Sequence, residues 1–252
     1  MAGARTFDQR PCIDATINDL LIESFRNEYL PRVVSPNVIY ENSRPVEQQL
    51  ASLRFFDLQR QAPTHAGILV FGRDPSQFLP GAFVQFVRFE GEALTDPIQD
   101  EKALTGNLLT QLTQLDNLLP LQIHSARVPG AGLRQEEHPD YPRVAIREIA
   151  FNAVMHRTYE GTSAPVRVNW FQDRTEIQNP GGLYGQVTPQ NFEHASDYRN
   201  PVIGEAMKSL GYVERFGTGI ARVQKALADN GNPPAEFTFE PTHVLVTIRR
   251  RL

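Results

Sequence analysis

Apolar residues change their spacing several times along this chain, and each change marks an element. Residues 14–25 carry Ile17, Leu20, Leu21 and Phe25 at helical intervals, with Asp14 placed to cap the start and Pro31 just beyond the end. A second helix is predicted over 46–59 through Leu50, Leu53 and Leu58, and the Pro- and Asn-containing stretch 31–45 reads as a loop. Residues 64–72 and 82–89 are short, aromatic and β-branched, so two strands of one sheet are expected there. Leucines at 104, 108, 109, 112, 115, 118 and 119 predict an amphipathic helix that covers a sheet face. From 120 to 142 no period holds, which places a loop or boundary there with room for one strand.

The pattern that matters most lies over 147–159. At about 100° per residue, Glu148, Asn152 and His156 form one i, i+4, i+8 ridge, and Ile146, Ile149, Ala150, Ala153 and Val154 fill the neighbouring arc. A solvated helix sets its polar residues opposite the apolar stripe; here they run beside it, as they would at the rim of a pocket. Val166, Val168 and Trp170 then alternate with Arg167 and Asn169, and Glu176-Ile177-Gln178 follows a turn at Asp173, which predicts a hairpin. Asn179-Pro180-Gly181-Gly182-Leu183 breaks it. A helix is predicted from Asn200 as N-cap and Pro201 as first residue to Gly211, and another from Gly217-Thr218-Gly219 to Asn230, stopped by Gly231 and Pro233. Phe237, Phe239, Val244, Val246 and Ile248 close the chain as two strands.

Composition narrows the classes. With 252 residues, 40% of them hydrophobic, the chain can bury a substantial core in one large or two smaller domains. A formal net charge of -4 lacks the field of a nonspecific nucleic-acid binder. Cys12 is the single cysteine, which excludes an internal disulfide and a cysteine metal site and agrees with a reducing cytoplasm. No 18-residue apolar run occurs, so no membrane span is expected, and the six histidines lack metal-ligand spacing. Arg249-Arg250-Arg251 reads either as a solvated strand end or as a contact to a phosphate backbone.

Taken alone, Glu148 and Asn152 read equally as a solvated pair bridging one helical turn. A carboxylate four residues before a carboxamide also suits a water-orienting base beside a magnesium ligand. Gly181-Gly182 lets backbone approach a ligand, and Gly217-Thr218-Gly219 before a helix aims free N–H groups at an anion; each also reads as a plain turn or helix start. Arg199 reads as a phosphate contact or a surface arginine. His156 either touches a ligand or satisfies the last carbonyls of its helix.

The order Glu148/Asn152, Asn179-Pro180-Gly181-Gly182, Gly217-Thr218-Gly219 resembles the nucleotide-binding boxes of the GHKL (Bergerat-fold) ATPases. With Arg199-Asn200-Pro201 added, residues 140–240 are similar to the divergent GHKL-like module of bacterial and archaeal predicted transcriptional regulators, proteins often labelled RecG-like helicases. Their N-terminal Schlafen/AlbA-type domain is not discernible here, which is the expectation for a fragment. The chain has neither a Walker-type Gly-Lys-Ser/Thr loop nor its associated acidic box. The resemblance implies an α+β fold, a mixed and mostly antiparallel sheet with helices on one face, plus an N-terminal helical extension. It divides the chain into an extension or linker (1–63), a strand-strand-helix connecting region (64–135) and the ATP-binding module (136–252).

By the same resemblance Glu148 is the general base, Asn152 holds magnesium, and Asn179, Gly181 and Gly182 receive the adenine end. Gly217, Thr218 and Gly219 wrap the phosphates, with Arg199 reaching them from a lid between the glycine boxes. One position departs: Asn179 stands where active members carry Asp, and a carboxamide oxygen accepts the adenine bond more weakly than a charged oxygen does. The expectation is therefore an ATP-dependent switch in a cytoplasmic regulator with slow or vestigial hydrolysis, possible homodimerisation, and DNA contact only through a missing or separate domain. The alternative is a GHKL-like fold that has lost its nucleotide and serves as a dimerisation or scaffold module.

Overall fold

The computed structural model describes residues 5–129, 135–195, 197–213 and 218–251, with 127–129 and 135–137 as backbone alone. At its centre lies a six-stranded sheet of order β4-β3-β7-β8-β10-β9. Its strands are β3 (Val84–Phe89), β4 (Ile98–Leu104), β7 (Val166–Trp170), β8 (Arg174–Pro180), β9 (Glu236–Phe239) and β10 (His243–Arg249). Every neighbouring pair is antiparallel except β3 and β7, which run parallel with Phe86 opposite Val168. The fold is the expected α+β arrangement.

Alternation decides which face is covered. Phe86, Val168, Ile177, Val246 and Ile248 point into the core, while Arg167 is exposed on the other side and Val87, Phe89 and Phe171 form a separate small cluster. The covered face carries α6 (Leu108–Gln122), α7 (Arg143–His156) and α9 (Gly219–Asn230), with α7 lying against β7, β8, α6 and α9. Asn107 caps α6 through the Thr110 amide (3.0 Å). Gly231, at φ 80°, ends α9 in the left-handed conformation that favours glycine.

The N-terminal region departs from its expected form in several places. An α segment α1 (Ile22–Ser24), a π turn (Phe25–Tyr29) and α2 (Leu30–Val33) run on continuously, so Pro31 sits inside the first turn of α2 rather than beyond the end. The loop expected over 31–45 contains a short helix, α3 (Pro36–Glu41), and the second predicted helix, α4, stops at Ser52 (Val46–Ser52). Two short strands follow, β1 (Phe56–Asp57) and β2 (Ala62–Pro63).

Residues 64–72 are not a strand. They form α5 (His65–Phe71), capped by Thr64, whose hydroxyl accepts from the Gly67 amide (3.1 Å). All residues from Ala66 to Phe71 are buried, so a helix covered on every side showed no period to distinguish it from a buried strand. Phe71 packs edge-on against Phe25, Tyr29 and Phe55. Likewise β4 was not expected, because Asp100, Glu101 and Lys102 mark a charged sheet edge rather than an apolar alternation. The 120–142 stretch contains a hairpin, β5 (Ser125–Pro129) with β6 (Gln135–Pro139), where at most one strand was expected.

The N-terminal region is tied to α8 (Pro201–Ser209). Asp8 is fully buried, and its carboxylate accepts from the Val202 and Ile203 amides (2.7 and 3.3 Å), so a residue near the start caps α8. The expected cap, Asn200, makes no such bond.

Candidate functional site

α7 brings the polar ridge to a cleft between the covered face of the sheet and α9. Glu148 is 4% exposed. Its Oε1 accepts from Asn152 Nδ2 (3.4 Å), and its Oε2 is ion-paired with Arg222 Nη2 of α9. Gly219, the first residue of α9, lies so close that a side chain there would run into the Glu148 carboxylate. A larger residue at 219 would have to push the end of the Glu148 side chain aside.

Asn200 holds the far end of α7. Its Nδ2 donates to the Met155 and Arg157 carbonyls (3.0 and 2.8 Å), and the Tyr159 hydroxyl donates to Val154 O (2.9 Å). These side chains, rather than His156, satisfy the last carbonyls. His156 instead faces the cleft and stacks on Tyr198 with ring centroids 5.6 Å apart.

The other wall is the end of β8. Asn179 and Pro180 are its last residues, in register with Val244 and His243, so the strand extends into the stretch expected to be irregular. Asn179 is buried and lines the cleft. Gly181 has φ 91°, and its amide donates to Thr242 O (2.7 Å). A Cβ at Gly182 would meet the Glu240 carbonyl oxygen at 2.5 Å. Both glycines are required by the chain's own path.

Described residues of the stretch after Gly182, among them Leu183, Tyr184, Val187, Phe192, Ala195, Asp197 and Tyr198, line the cleft. Phe192 seats this segment on β9, against Phe237 and Phe239 (4.9 and 4.8 Å). Arg199 anchors its end by donating from Nη2 to Gly182 O (2.9 Å), with its guanidinium over the Tyr184 ring (4.8 Å). The cleft is partly open to solvent. One end is polar, with Glu148, Asn152 and Gly219; the remainder is largely apolar, with Ile149, Val187 and Val246 among its walls.

The structure therefore gathers Glu148, Asn152, Asn179, Gly182 and Gly219 around one cleft. Gly181, Arg199 and Thr218 stand beside it without lining it, and Gly217 lies outside the described residues. Arg222 was missed, although a basic residue in the first turn of a helix opened by a glycine box was a usable signal.

Residues 163–248, from the strand β7 to β10, match the family described as "Putative ATP-dependent DNA helicase recG C-terminal". The match supports an ATPase-like module over this stretch. Glu148 and Asn152 lie outside the matched residues. The whole fold is similar to the crystal structure of the DIP2311 protein from Corynebacterium diphtheriae, with a TM-score of 0.72 and 22% identity over 99% of this chain and 49% of that one. The chain thus spans about half the length of that protein. No curated protein matches it.

The basic C-terminal cluster is occupied: Arg249 pairs with Glu236 (2.9 Å), Arg250 with Asp140 (3.8 Å), and Arg251 contacts His138 (2.5 Å). Among the described residues no group of three or more His, Cys, Asp or Glu side chains is placed to hold a metal ion, and no helix is long and apolar enough to cross a membrane.

Burial, reinforced by the positive charges of Arg199 and Lys208, pushes the His156 imidazole down to about 4. It is neutral at pH 7 and offers no cation to a ligand there. Because the folded value lies below the unfolded value of about 6.5, the neutral ring's contribution is complete above pH 6.5 and is lost as pH falls towards 4. Linkage limits that loss to about 3 kcal/mol. His156→Gln should flatten the stability profile between pH 6.5 and 4, read as urea midpoints against the unaltered chain; parallel profiles would remove His156 as the cause.

Proposed function

We propose that the cleft binds ATP with magnesium and that the nucleotide acts as a switch. The observation that carries this reading is the convergence of Glu148 and Asn152 of α7, Asn179 of β8 and the glycine-opened start of α9 on one cleft within an ATPase-like fold. Asn179 and Gly182 would receive the purine end among apolar walls, and the phosphates would lie towards Thr218 and Gly219. Asn152 fits magnesium chemistry, because that ion takes most of its oxygens from phosphate and water and needs few protein ligands. The metal would supply charge neutralisation between the phosphates.

Glu148 would act as base: a water oxygen bonds to the terminal phosphorus, the bond to the ADP oxygen breaks, and the water proton passes to the carboxylate. Hydrolysis would be slow. Segment 183–199, ordered by ligand, would transmit occupancy to a partner copy or to a DNA-binding domain elsewhere in a cytoplasmic transcriptional regulator.

The second reading is a scaffold or dimerisation module without nucleotide. It is favoured by Gly181 and Gly182, which the chain's own backbone requires whether or not a ligand enters, and by Arg199, which is committed to Gly182 O. A thermal or urea melt with and without Mg-ATP separates the two. At 100 times its dissociation constant the nucleotide should add about 2.7 kcal/mol; no shift at millimolar ATP would sink the first reading.

A further inference from the structure

The cleft contains an electrostatic conflict with the ligand assigned to it. Its lining includes two acids, Glu148 and Asp197, and among the described lining residues there is neither Lys nor Arg. A polyphosphate arriving at the polar end would face the buried Glu148 carboxylate at short range, where charge is poorly screened. The cation that offsets that carboxylate comes from the rim: Arg222, whose side chain is 34% exposed against 5% for Glu148.

We propose that the Glu148–Arg222 ion pair is a latch, and that Arg222 is the group that takes hold of the ligand's terminal phosphate. The inference rests on the nucleotide reading of the cleft. Val223 and Leu227 bury the neighbouring side of α9, so the helix is anchored while the Arg222 side chain reaches both Glu148 and solvent. Gly219 keeps the start of α9 against Glu148. An anion bound at that helix end would therefore lie within one helical turn of the guanidinium. Arginine suits both partners, since its planar fork matches carboxylate and phosphate alike.

The guanidinium occupies Glu148 Oε2, a position an attacking water would need. When a terminal phosphate draws Arg222 away, that oxygen becomes available to the water beside the same phosphate. Ligand arrival and release of the base are thereby the same event, and a diphosphate too short to reach Arg222 leaves the latch closed.

The test measures binding of adenosine, ADP, ATP and inorganic tripolyphosphate by calorimetry without divalent cation, for the unaltered chain, Arg222→Gln and Glu148→Gln. Arg222→Gln should weaken ATP and tripolyphosphate by about tenfold or more, the loss expected for a charge-assisted contact, and leave adenosine within about twofold. Glu148→Gln, which removes the competing negative charge, should tighten ATP and tripolyphosphate and leave adenosine unchanged. Should Arg222→Gln not fold, Arg222→Lys is expected to weaken the same two ligands to a lesser degree. Unchanged ATP affinity in Arg222→Gln, equal weakening of adenosine, or no tightening in Glu148→Gln overturns the latch while leaving the nucleotide reading in place. Tripolyphosphate binding that follows the expected pattern in a chain that ignores ATP and adenosine supports the latch and removes the nucleotide. Absence of binding by all four ligands ends both.

Discussion

Arg157→Met should lower the unfolding free energy by about 4 kcal/mol, among the larger losses a single substitution produces. Arg157 is 1% exposed. Its Nη1 donates to Gly81 O (2.5 Å), Nη2 to Ala164 O (2.9 Å) and Nε to Thr158 O (3.1 Å), and the guanidinium lies 4.5 Å from the Tyr159 ring centroid. Gly81 and Ala164 lead into β3 and β7, the parallel pair of the sheet, and Arg157 follows the last residue of α7. One side chain therefore fastens the end of the cleft helix to the segments that lead into β3 and β7. Methionine fills similar space but returns none of the donors, leaving buried carbonyl groups short of a partner. Lysine should recover little, because a single ammonium cannot match the fork. A loss below about 1 kcal/mol in urea denaturation would show that the carbonyls find other donors.

Glu148→Gln is expected to retain nucleotide and lose hydrolysis by about 100-fold or more, the usual contribution of a positioned base. Glutamine keeps the shape of a side chain wedged between Asn152, Arg222 and the start of α9, so the fold and the cleft should persist while the proton acceptor is gone. Single-turnover phosphate release, with binding measured on the same sample, separates the two effects. If binding and turnover disappear together, Glu148 holds the ligand or the fold rather than the proton. If turnover is unchanged, the base is elsewhere.

The elements legible from residues alone are those half covered by a partner. β7, β8 and β10 alternate because one face is buried. α8 and α9 carried their own boundaries, in Pro201 at the start of one and Gly231 after the other. α5 was illegible for the opposite reason, since a helix buried on all sides has no polar face to set its period. β4 was illegible because its strand character comes from pairing with β3, against a charged local sequence. At the site, Glu148, Asn152, Asn179 and Gly219 were marked by motif order. What each does there was less visible: Asn200 looked like a cap and instead ties down α7, while Asp8, with nothing in its neighbourhood to suggest it, caps α8.

By itself, then, the sequence determined the polar ridge on α7, the strand alternation and the glycine positions, because each depends on a period or a backbone preference confined to a few residues. Only the tertiary structure decided that Glu148 meets Arg222, that Gly182 makes room for residues 240 and 241, and that His156 stands neutral against Tyr198. Those outcomes depend on which surfaces exclude water together. Glu148 and Arg222 are separated by 74 residues of chain, and no local period records a charge pairing across that distance; it follows from packing α9 against α7.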